Sequence, residues 1–163
     1  MPLGLPTFVF KVDVSKVKAR LAGLKAAVPG IARQIGGEVG LQIMNDSVME
    51  IPTVPKKTGD LRGSGSVIVD GKLVKTSIQA GFSSSGTPAD SDPVAQPKPN
   101  MVIVTVAWNK PQAARLHEHP EYNFTEPDSG GKFLEAKIVN NKAVYGRHVA
   151  NRWKEALDKG GRL

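Results

Sequence analysis

A chain of 163 residues, with 40% hydrophobic and 23% charged side chains, is long enough to bury one core without disulfides or metal, and it predicts a single domain. The absence of cysteine excludes disulfides, thiolate catalysis and cysteine-ligated zinc. The net charge of +7 is unevenly spread: residues 1–62 carry nine basic and five acidic side chains, residues 63–131 five and seven, residues 132–163 eight and three. Basic ends around a mildly acidic middle suit a protein that touches an acidic partner or copies of itself.

The opening MPLGLPTFVFK lacks the basic start of a signal peptide, and no apolar run approaches the roughly 18 residues of a membrane span, so no membrane partner is expected. Phe8, Phe10 and Val12 alternate with polar or smaller neighbours and predict an edge strand or extended arm before Ser15 caps a helix. Val17, Leu21, Leu24 and Val28 form one apolar stripe, and that helix is expected to end near Pro29-Gly30. A second helix follows on Ile31, Ile35, Val39, Ile43 and Val48, stopped by Pro52 and Pro55. Gly36, Gly37 and Gly40 lie inside it at about 1 kcal/mol each relative to Ala, which predicts close packing of another backbone or a break.

Residues 54–71, VPKKTGDLRGSGSVIVDG, place a Gly-rich basic loop before an alternating strand. Pro55 stiffens the exit from the helix, Gly59 permits a turn, Leu61 anchors the start of the sheet, and Arg62 is expected to reach a carboxylate on a neighbour. Asp70-Gly71 reads as a two-residue hairpin turn, with the return strand over Leu73 to Phe82. Residues 83–99 are rich in Ser, Pro and Asp without apolar period and predict a flexible loop or arm. Met101 to Trp108 is β-branched and apolar and predicts the central strand; a short helix is expected at Gln112 to His117. From Lys132 a helical period on Leu134, Ile138, Tyr145, Val149, Trp153 and Leu157 predicts one helix of about 40 Å, unless Asn140-Asn141 or Gly146 interrupts it. The fold class expected is α+β: an antiparallel sheet (hairpin plus central strand, with an N-terminal edge strand as an option) with two N-terminal helices and a long C-terminal helix packed on it.

The chemistry-bearing residues give little to an enzyme. Lys56-Lys57 precede the glycines and a strand follows them, the reverse of a phosphate loop, which should open a helix. His117, Glu118, His119 and Glu121 resemble a metal or acid-base cluster, but neighbours so closely spaced face different ways, and His148 is the one remaining histidine. Ser64 and Ser66 do not sit in a nucleophile elbow. No catalytic residue, cofactor or metal is therefore expected. Two weaker readings stand beside that one: a nucleic-acid-binding module using Lys56, Lys57, Arg62, Arg147 and Arg152, and a hydrolase or metal centre on His117, Glu118 and His119.

Three fragments, in this order, carry a resemblance. KTGDLRGSGSV at 57–67 resembles the Thr-Gly-x-Leu-Arg-x-Ser entry to the first strand of the phage minor capsid, neck and tail-completion proteins that join portal-bearing heads to long tails. AARLHEHPEYN at 113–123 is similar to that family's Tyr-Ala-x-x-x-His-Glu segment, with Gln112-Ala113 in place of Tyr-Ala, and GGKFLEAKI at 130–138 resembles its Gly-Gly-Lys-Phe-Leu-Glu helix start. The matching positions are Thr58, Gly59, Leu61, Arg62 and Ser64, then His117 and Glu118, then Gly131, Lys132, Phe133 and Leu134. The resemblance implies a structural protein of the virion neck, made in the host cytoplasm and assembled into a ring, commonly a hexamer. Its implied partners are further copies of itself, a head-side connector or adaptor, and a tail terminator or tail tube protein, with genomic DNA passing without sequence specificity. The candidates for the assembly interface are Phe8, Phe10, Thr58, Gly59, Leu61, Arg62, His117, Glu118, Lys132 and Phe133, and Phe8 and Phe10, or the 83–99 arm, would then lie across a neighbour by strand addition.

Overall fold

The computed structural model describes residues 15–56, 59–90 and 101–160. The elements are α1 (Ser15–Met49), α2 (Asp60–Gly63), β1 (Gly65–Val69), β2 (Lys72–Thr76), β3 (Val104–Trp108), α3 (Pro111–Glu118), α4 (Phe133–Asn140) and α5 (Lys142–Asp158). This is the expected α+β class, with an antiparallel three-stranded sheet in the order β2-β1-β3. Phe8, Phe10 and the N-terminal arm lie outside the described residues, as do residues 91–99 of the expected flexible loop.

The two expected N-terminal helices are one. α1 runs 35 residues through Pro29, about 52 Å at 1.5 Å per residue. At 100° per residue Leu21, Leu24, Val28, Ile31 and Ile35 fall on one continuous stripe, so the apolar period crosses Pro29 without changing phase. Pro29 itself is exposed, where water can solvate the carbonyl that loses its N–H partner. The second half of α1 lies on the sheet through its glycines. A Cβ on Gly40 would sit 2.6 Å from Val67 Cγ1 and 3.0 Å from Val104 Cγ1, and one on Gly36 2.8 Å from Val104 Cγ2. The glycine cluster therefore serves close packing, with no break.

The central strand is β1, and the Val104–Trp108 strand expected there is an edge. All of β1 is buried because it is covered on both faces. Val67 meets α1, while Ser66 on the opposite face donates its hydroxyl to the Ala89 carbonyl at 2.8 Å. Asp70 (φ 49°) and Gly71 (φ 77°) make the expected hairpin turn with both residues left-handed, matching strand twist. β2 stops at Thr76 rather than continuing to Phe82. There the Thr76 Oγ1 accepts the Gln79 N–H at 3.1 Å and Gln79 Oε1 accepts the Thr76 N–H at 2.9 Å, a local exchange that competes with the ladder.

The C-terminal helix is interrupted at Asn141, one of the two places the sequence offered. Asn141 turns there (φ −100°, ψ 8°) and donates its side-chain amide to Glu50 at 2.9 Å at the end of α1. α5 then runs back antiparallel along α1, and it packs there rather than directly on the sheet. The Tyr145 hydroxyl donates to Asp46 at 2.8 Å, Arg152 forks onto Glu38 at 2.7 and 2.8 Å, and Ala156 closes over Ile31 and Ile35. Burial and the bond to Asp46 push the Tyr145 hydroxyl up to about 12. The main core gathers Met44, Val48, Val54, Leu61, Val67, Trp108, Ala113 and Phe133, and so joins α1, the sheet, α3 and α4.

Asp70 is the pin that holds hairpin, third strand and α1 together. Its Oδ1 accepts the Ile103 N–H at 3.0 Å and its Oδ2 accepts Arg33 Nε at 2.8 Å. The Ile103 bond first, then Arg33, holds this carboxyl below its ordinary 3.8. A lowered carboxyl stabilises the fold above its unfolded pKa and loses that contribution as pH falls through the folded value. Asp70→Asn keeps the acceptor for Ile103 and tolerates the positive φ but gives up the charge. Thermal unfolding as a function of pH is therefore expected to show wild type above the Asn variant at neutral pH, with the gap closing below 3.8. A constant gap at all pH values would remove the charge from this account.

Candidate assembly surface

The fragments that carry the family resemblance come together in space. Gly59 has φ 79°, the left-handed turn its position demands, and leads into α2. Leu61 is buried in the main core, and the Ser64 hydroxyl donates back to the Leu61 carbonyl at 2.8 Å. Arg62 does not reach outward to a neighbour's carboxylate as expected: its Nη2 donates to the Val54 carbonyl at 2.9 Å, and its Nε is buried with no hydrogen-bond partner. It forms one wall of a cleft of about 460 Å³ with Lys56, Gly59, Ser83, Ser85 and Glu126. Thr58 lies outside the described residues.

Residues 83–90, expected as the start of a loose arm, form a strap over this turn. Ser83 Oγ donates to the Gly59 carbonyl at 3.0 Å, Ala89 is held by Ser66, and Asn109 donates to the Thr87 carbonyl at 3.2 Å. Of the serines that made this stretch read as unstructured, Ser83 fastens it to the turn, while Ser66 and Asn109 hold its backbone carbonyls from outside.

The second and third fragments face each other across α3 and α4. Phe133 is only 2% exposed, with its ring edge-on to Trp108 at 5.4 Å and to His117 at 5.0 Å. It therefore belongs to the core and not to an exposed interface, and Leu61 is corrected in the same way. Lys132, left-handed at φ 55°, donates its backbone N–H to the His117 carbonyl at 2.7 Å and its Nζ to Glu118 at 2.8 Å. His117 Nδ1 meets the other oxygen of Glu118 at 2.9 Å, and Nε2 accepts the Glu135 N–H at 3.4 Å, an arrangement that puts the ring proton on Nδ1. Lys132 first, then His117, holds the Glu118 carboxyl down to about 2. His119 turns away, stacks on Tyr122 at 4.9 Å and bonds Glu121 at 2.6 Å.

The two histidines thus point to different sides, as their spacing implied, and among the described residues no three of His, Asp or Glu are grouped to hold a metal ion. What remains at the surface is a shallow groove of about 290 Å³ between α3 and α4, floored by Trp108 and Phe133 and rimmed by Glu118. Comparison of the chain with family models, curated proteins and solved structures found no match. Among the described residues no helix is long and apolar enough to cross a membrane.

The charge reading of the sequence missed how α1 divides. Between Asp13 and Glu38 the chain has no acid but carries Lys16, Lys18, Arg20, Lys25 and Arg33. That gap was visible in the sequence, but only the structure shows that α5 ends near Ile31 and leaves the first half of α1 exposed.

Proposed function

We propose that this chain is a structural subunit of a tailed-phage neck, acting by assembly into a ring that joins the head-side connector to the tail, and that it works by shape without catalytic turnover. The observation that carries the reading is the convergence of the resembling fragments. Leu61 from the first, His117 and Glu118 from the second, and Lys132 and Phe133 from the third meet in one unit. A motif set that serves one architecture should converge in this way. Nothing in that unit calls for a substrate: its carboxylates and histidines are occupied with one another and with the backbone.

The nucleic-acid reading draws less from the geometry. Arg152 is engaged by Glu38 and Glu155, and Arg62 is turned inward, so two of the five cations offered to phosphate are already in use.

The test is a labelled image of the assembled virion together with the mass of the purified protein mixed with its head-side connector. The expected results are label at the junction of head and tail and a complex holding a ring of copies. Label elsewhere, with no binding to connector or tail proteins, would overturn the reading.

A further inference from the structure

α1 carries its apolar stripe beyond the end of the helix that covers it. Ile31 and Ile35 are buried under Ala156, but the same stripe continues toward the N-terminus through Val28, Leu24 and Leu21, where among the described residues Val28 is 43% and Leu21 60% exposed and Leu24 is half-buried. Lys18 and Lys25 flank the stripe on one side and Lys16 and Arg20 on the other. Among the described residues none of these four cations pairs with a carboxylate, whereas Arg33, farther along, is taken by Asp70. Four cations along an apolar stripe oppose pairing with the same surface of another copy. They ask for a partner that brings carboxylates and a place for aliphatic side chains.

The chain has such a place at its other end. Residues 118–128 contain Glu118, Glu121, Glu126 and Asp128 and no Lys or Arg; Glu118 is already paired with Lys132, so the acidic character is carried by Glu121, beside His119, and by Glu126 and Asp128. This loop lies beside the C-terminal end of α1: the Asp128 carbonyl accepts the Thr53 N–H at 2.8 Å, and Val54 N–H bonds the Ser47 carbonyl at 2.9 Å. Under the loop is a small, mainly apolar cavity of about 140 Å³, lined by Pro55, Leu116, Phe124 and Thr125 with Lys56 and Glu126 at its edge. The helix keeps the two surfaces apart within one molecule. From Lys25 to Ser47 the rise along α1 is about 33 Å at 1.5 Å per residue, so they can meet only between copies.

We infer that copies of this chain associate head to tail, the exposed basic stripe of α1 in one copy seating on the acidic 118–128 loop of the next, with Leu21 or Leu24 entering the cavity beside Phe124. Different surfaces meet at such a contact, and repetition around an axis closes a ring. This deepens the proposed function and rests on it only for the expectation that the chain self-associates.

The experiment is native mass measurement of the purified full chain, at low and raised salt, for wild type and two charge-reversed variants. Lys18→Glu with Lys25→Glu makes the helix acidic; Glu121→Lys with Asp128→Lys makes the loop basic, and all four side chains are on the surface. Wild type is expected to form oligomers that weaken with salt. Each variant alone is expected to associate at least about tenfold more weakly, because like charges then face each other. The two variants mixed are expected to recover association, since the acidic helix of one meets the basic loop of the other and the unaltered pair completes the alternation. Recovery also shows that both variants are folded.

Oligomers that persist in either variant, or no recovery on mixing, would overturn the contact while leaving the neck assignment to the virion image. A monomeric wild type would overturn it too. If that monomer retards duplex DNA with steep salt dependence, the cations serve a polyanion instead.

Discussion

Gly63→Ala is expected to detach the strap over residues 83–90 and to destabilise the protein by about 3 kcal/mol, at the upper end of what overpacking costs. The reason is geometric. A Cβ at Gly63 would lie 1.5 Å from the Ser85 carbonyl oxygen and 2.6 Å from its carbon, and these are backbone atoms that no rotamer change can move away. Gly86, at φ 129°, approaches from the other side, so the two glycines fit backbone against backbone. If the strap lifts, Ser66 loses the Ala89 carbonyl and Asn109 loses Thr87, and one face of the central strand opens to water. Hydrogen exchange should accelerate in β1 and in residues 83–90, and limited proteolysis should cut within the strap. Were 83–90 the loose arm that its composition suggests, the substitution would stay within about 0.5 kcal/mol, as surface changes do. A silent Gly63→Ala would therefore restore the sequence-based expectation and remove the strap from the fold.

That contrast marks what could be read from residue types and what could not. Asp70-Gly71 was legible because a two-residue hairpin restricts both positions to left-handed backbone, and few residue pairs accept that. The short helix expected at Gln112 to His117 was legible and extends by one residue at each end, whereas the C-terminal helix read as continuous, with Asn140-Asn141 only one of two places where it could break. The continuity of α1 was not legible, because Pro29 is a strong local signal against helix, while the evidence for continuity is the phase of a stripe over about four turns. The centrality of β1 was hidden for a different reason. A strand's place in a sheet depends on what covers each face, and the cover here is an irregular strap with no periodicity to detect. Phe133 was legible as a member of a motif but not as core, since a motif says that a residue matters without saying which way it points. The basic stripe lay open in the sequence as a long gap between acids, yet its exposure depends on where α5 stops.

Phe133→Ala is expected to cost about 3–5 kcal/mol, the range for removing a fully buried aromatic ring, and to separate what the motif does for the fold from what it does at the surface. The ring is 2% exposed and stands edge-on to both Trp108 and His117, so its loss leaves a cavity where β3, α3 and α4 converge. Chemical denaturation should show a lowered midpoint, and Phe133→Leu should recover part of it by refilling volume without the edge contacts. Neighbouring Lys132 behaves differently: its ammonium group pairs with Glu118 and Glu135 in solvent, where such pairs contribute little to stability. Lys132→Ala should therefore leave the unfolding midpoint close to wild type while removing the group that holds Glu118 against the rim of the groove. If the Lys132-Phe133 pair served the fold alone, Lys132→Ala would also leave assembly untouched. If the lysine serves the proposed neck ring, head-to-tail joining in assembled particles should fall with Lys132→Ala at unchanged stability. A drop in stability as large as that of Phe133→Ala would instead place Lys132 among the residues that hold the core shut.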